Sequence, residues 1–105
     1  MNEQQRLAFC ALCAEWDKVI RKRCTVVRKA AQSDPTIPRA DLYRLTMPHR
    51  RQICPSEELT QAAIRAFADN PDRLKRALTY RGYYSAAWEL DDMDEKEDAL
   101  ADGGT

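Results

Sequence analysis

Glycine is almost missing from this chain. It occurs three times in 105 residues, at positions 82, 103 and 104. A glycine-rich loop that would cradle phosphates is therefore excluded, and with it the usual routes to nucleotide and dinucleotide chemistry. There is one histidine, His49, so every histidine-based catalytic arrangement would have to use it. A Cys54–His49 couple has no glycine-rich neighbourhood to shape an oxyanion site. Long apolar runs are missing too. The longest, Leu7 to Ala14, is eight residues, against roughly 20 for a membrane span. Alternating runs of period two are scarce, which argues against a sheet.

What is present favours helix. Ala, Leu, Arg, Lys, Glu and Gln dominate the long segments, and all are good helix formers. Hydrophobic residues make up 44% of the chain and charged residues 32%, as expected of one folded domain. The sequence thus predicts an all-α, single-domain bundle of about four helices over residues 1–90. Residues 91–105 form an acidic tail with no apolar stripe, expected to be disordered.

The first segment, from about Asn2 to Gln32, carries Phe9, Cys13, Trp16, Ile20, Cys24, Val27 and Ala31 at spacings of three and four. That is one stripe of a long helix. Its weakest part is Cys24-Thr25-Val26-Val27, where β-branched side chains crowd the turn and a break is expected. "SDPTIP" at 33–38 reads as a loop and "RADLYRL" at 39–45 as a short helix, interrupted by Pro48. Pro55 opens a third helix with Ser56 as its cap. "DNP" at 69–71 ends it, and Asn70 with Pro71 starts a fourth helix over about 72–90. Leu74, Leu78 and Trp88 are its expected core face. Gly82 marks a kink.

The net charge is zero, but it is unevenly spread. Residues 1–88 hold sixteen Lys and Arg against nine Asp and Glu, a surplus of seven positive charges. Residues 89–105 hold one Lys against eight acids, a surplus of seven negative. A basic body ends in an acidic segment.

Cys10 and Cys13 stand at the spacing of half a zinc site. The remaining ligands would have to be His49 and Cys54, folded back onto that turn. "CALC" contains no turn residue, and Cys13 lies on the apolar stripe, where free Cys is ordinary core filler. No metal and no cofactor are expected. The cysteines are expected to be reduced and the protein cytoplasmic.

Two surfaces are candidates for function. Arg73, Arg76, Tyr80, Arg81, Tyr83 and Tyr84 combine arginine with aromatics, the residue types that dominate protein interfaces. Arg21, Lys22, Arg28, Lys29, Arg50 and Arg51 are the candidate phosphate contacts of an alternative, nucleic-acid-binding reading. In that alternative the acidic tail is autoinhibitory. The reading preferred on sequence is a non-catalytic adaptor or inhibitor of a protein partner, such as a nucleic-acid-processing complex. Neutral overall charge argues against a dedicated nucleic-acid binder. Small charge-segregated helical proteins of this kind suit a phage or mobile element. No membrane partner is expected, and the long first helix could pair with a second copy through its stripe.

Overall fold

A computed structural model describes residues 1–91. Five helices run in order: α1 Glu3–Ser33, α2 Arg39–Leu45, α3 Met47–Gln52, α4 Glu57–Ala66 and α5 Pro71–Tyr80. A further helical run, α6, covers 84–91. No strand occurs among the described residues. The fold is all-α. It has six helices where the sequence predicted about four, and residues 92–105 of the expected acidic tail lie outside the described part.

α1 starts on a reciprocal cap. The Asn2 side chain accepts from the Gln5 amide at 2.8 Å, and the Asn2 amide donates to Gln5 Oε1 at 3.1 Å. This satisfies two of the amides that a helix start leaves bare. The helix then runs unbroken for 31 residues, about 46 Å. The expected break at Cys24–Val27 does not occur. Thr25 returns its hydroxyl to the Arg21 carbonyl at 2.9 Å, so its side chain is satisfied inside the helix.

The first half of α1 enters the core. Phe9, Leu12, Cys13, Trp16 and Val19 are buried against Ala63 and Phe67 of the α4 region, Leu74 and Leu78 of α5, and Ala86, Ala87 and Leu90 of α6. Ala63, fully buried on α4, is small enough to let that helix lie close against α1. Burying Phe67, Leu12 and Leu78 contributes about 1.5–3 kcal/mol each. Gln5 is buried as well; its side-chain amide Nε2 donates to the Ala66 carbonyl at 3.1 Å and tethers α1 to the end of α4.

Beyond Val19 the same stripe leaves the core. Ile20 and Cys24 are exposed, while Val26, Val27, Ala30 and Ala31 are half-buried. α2 and α3 lie against this distal half, with Leu42 of α2 and Thr46 between the two helices buried. Pro48 sits in the first turn of α3 and starts that helix, where a missing N–H costs nothing. Ser56 caps α4 as expected, accepting from the Leu59 amide.

The expected helix over 72–90 is two helices. Arg81 and Gly82 form a turn, and Gly82 takes φ of 89°, a conformation that glycine adopts without strain. The turn is closed by the Tyr83 amide donating to the Leu78 carbonyl at 2.9 Å. Breaking the helix resets its phase, so Trp88 does not reach the core. It is 75% exposed, and Ala87 is buried in its place.

Candidate functional site

α5 and α6 each turn one face inward and leave the other in water. On α5, Leu74 and Leu78 point inward, so Arg73, Arg76 and Tyr80, spaced by three and four, share the opposite face. All three are exposed, Tyr80 at 93%. On α6, Ala86, Ala87 and Leu90 are buried, and Tyr84 and Trp88 form an outer i, i+4 pair. Tyr84 is 65% exposed. Arg81 and Tyr83, expected on the same surface, instead turn toward α1. The Arg81 guanidinium lies 5.4 Å from the Phe9 ring centre. The Tyr83 hydroxyl donates to the Asp17 carboxylate at 2.7 Å. That bond, with partial burial, pushes the Tyr83 phenol up to about 12, because a donor to a carboxylate resists losing its proton. Sequence reasoning missed Trp88 as a surface residue. Its signal was Gly82, read as a kink rather than as a change of phase.

The basic residues collect on the distal lobe. Residues 20–52 carry nine Lys and Arg against two acids, while the remaining described residues carry seven against nine. The positive surplus of the body therefore lies wholly on distal α1, α2 and α3. Of the predicted phosphate contacts, Arg28 and Arg50 line one cleft of about 300 Å³, together with Ile20, Val27 and Tyr43. The Arg50 guanidinium rests 5.7 Å from the Tyr43 ring centre. Arg21, Lys22, Lys29 and Arg51 are exposed outside it. Arg21 Nε donates back to the Asp17 carbonyl at 3.2 Å.

Arg23 differs from its neighbours. Its side chain is only 12% exposed. It donates to the Ile53 carbonyl at 3.1 Å, the Arg50 carbonyl at 3.3 Å and the Glu89 carboxylate at 3.1 Å. It also lies over the Trp16 ring, 5.3 Å from its centre. One cation thus joins α1, the end of α3 and α6.

No protein-family model, curated protein or solved structure matches this chain.

The sulfur and imidazole groups do not gather. Cys13 is buried, and burial pushes its thiol up to about 11. Cys10 and Cys54 are exposed, and His49 is exposed on α3. The Cys54 thiol donates to the carbonyls of Arg50 and Arg51 at 3.2 and 3.1 Å, closing the end of α3. Among the described residues no three His, Cys, Asp or Glu side chains are placed to hold a metal ion. A second cavity, about 230 Å³, opens between α1, α4 and α6 over Leu12, Trp16, Ala86 and Leu90, with Glu57 and Glu89 among its polar lining. No helix among the described residues is long and apolar enough to cross a membrane.

Proposed function

We propose that this chain is a non-catalytic interaction protein, an adaptor or inhibitor, that docks a protein partner through the outer face of α5 and α6. The observation that carries this reading is the exposure of Tyr80, Tyr84 and Trp88 on the same two helices as the exposed Arg73 and Arg76. Large aromatics left in water forgo the burial that would stabilise a monomer, and adjoining aromatics mark an interaction surface. Tryptophan, tyrosine and arginine are also the residues that supply most binding energy at protein interfaces. The acidic segment 92–105 would complement a cationic groove, of the kind that grips nucleic acid in a processing complex.

The test is affinity capture from the source cells, with and without nuclease, followed by rebinding to the purified partner. The partner should survive nuclease treatment. Tyr84→Ala with Trp88→Ala should weaken rebinding by about 30-fold or more, the equivalent of one strong interface residue. Both side chains are exposed, so helicity should be unchanged. A partner that nuclease removes, or that the double variant binds equally well, overturns the proposal.

A further inference from the structure

We propose that the cleft between distal α1, α2 and α3 is a second docking surface, and that its occupant is an acidic amphipathic helix of a protein partner. The first argument is charge. Nine cations against two acids lie within residues 20–52, and the rest of the described chain has a slight acidic surplus. Such a concentration on one small lobe attracts an acidic ligand and orients it before contact.

The second argument is the shape and lining of the cleft. Ile20, Val27 and Tyr43 supply apolar lining, and Arg28 and Arg50 supply cationic lining beside it. Ile20 and Tyr43 keep 36% and 45% of their surface open, and Leu45 and Met47 on the same lobe are about half open. Apolar lining flanked by cations is the complement of a helix with an apolar stripe flanked by carboxylates. The α1 stretch from Ile20 to Arg28 runs about 12 Å, or two turns of a docked helix. That length accepts anchors at i, i+3 or i+4, and i+7.

A nucleic-acid strand fits less well. Phosphates would engage the arginines but leave the apolar lining of Ile20 and Val27 unused. The cleft is also held in shape before any ligand arrives. Arg23 ties its base to the Ile53 and Arg50 carbonyls and to Glu89, so little ordering is left for binding to do. The cleft meets α6 only at Ser85. Variants in it therefore leave Tyr84 and Trp88 in place, and the two surfaces can fail independently.

The experiment uses the full chain and three labelled probes. The first is a synthetic peptide of about twenty residues with Leu at i, i+3 or i+4 and i+7 and Glu on the flanking positions. The second is its scrambled isomer of equal charge, and the third a single-stranded oligonucleotide of similar length. Fluorescence anisotropy should show the patterned peptide binding about 10-fold more tightly than the scramble. Arg28→Glu with Arg50→Glu should abolish that binding, because like charges would then face each other. Arg28→Lys with Arg50→Lys should retain most of it, and Tyr84→Ala with Trp88→Ala should not alter it. Circular dichroism checks that each variant keeps its helices. Equal binding of the scramble, indifference to the charge reversal, or tighter binding of the oligonucleotide with displacement of the peptide would each overturn the proposal.

Discussion

Removing the Arg23 side chain should separate the two lobes energetically. Arg23→Ala deletes charged donors to two main-chain carbonyls and to Glu89, and a ring contact with Trp16. A hydrogen bond from a charged group contributes about 1.5–3 kcal/mol when its partner is left dry. A cation over an aromatic ring adds about 1 kcal/mol. Glu89 is 42% exposed, so water takes over its carboxylate and that pair contributes little. The two carbonyls dominate. With partial rehydration, Arg23→Ala should cost about 2–4 kcal/mol, and Glu89→Ala less than about 1 kcal/mol. Urea unfolding followed by circular dichroism reads both, and the thermal midpoint should fall by roughly 4–8 °C for each kcal/mol. Arg23→Lys keeps the charge but not the fork, and should fall between wild type and Arg23→Ala. The reasoning is refuted if Arg23→Ala unfolds within about 0.5 kcal/mol of wild type, or if Glu89→Ala is equally costly.

Three further outcomes follow from single positions. Gly82→Ala meets no atom within 4 Å but keeps φ at 89°, so backbone strain alone should cost about 1–2 kcal/mol, read from the urea midpoint. The Tyr83 phenol is raised in the folded state from 10.0 to about 12. Its contribution to stability is therefore complete below pH 10 and lost as pH rises toward 12; Tyr83→Phe should flatten that part of the stability profile, and an unchanged slope would refute the Asp17 bond. Of the four thiols, Cys10, Cys24 and Cys54 are exposed and Cys13 is buried. A disulfide reagent at mildly alkaline pH should titrate three rapidly and the fourth only on unfolding; four fast thiols would place Cys13 outside the core.

Periodicity made the near half of α1 legible. Phe9, Cys13 and Trp16 recur at helical spacing and are buried where the pattern put them. The same period continues through Ile20, Cys24 and Val27, yet that face is half-open. A stripe tells which side of a helix is apolar, and says nothing of how much protein there is to cover it. α2 and α3, with seven and six residues, are too short to do so. Trp88 was unreadable for a different reason. Its position was counted from Leu78 through a continuous helix, and the turn at Gly82 moved every later residue to a new phase. Arg23 sat in a run of cations that reads as a solvated face. What draws it inward is the pair of carbonyls of Arg50 and Ile53, some thirty residues away, and local sequence carries no trace of such partners. The two candidate surfaces were legible as composition; Gly82 and the fold-back of α2 and α3 decided which members each retains.

The arrangement explains why so short a chain can leave so much apolar surface open. The core is confined to one half of α1 with α4, α5 and α6, and the other half of α1 serves as a post on which α2 and α3 rest. Such a post stabilises little by itself, since α2 buries only Leu42, α3 buries no residue, and Thr46 is the one buried residue between them. Its position is set by Arg23, whose charge is spent on main-chain carbonyls and Glu89 rather than on solvent. That same contact reaches α6, whose outer face carries Tyr84 and Trp88. Movement of α3 against α1 strains the Arg23 bonds to the Arg50 and Ile53 carbonyls, whereas water readily replaces the bond to the half-exposed Glu89, so the two surfaces remain separable.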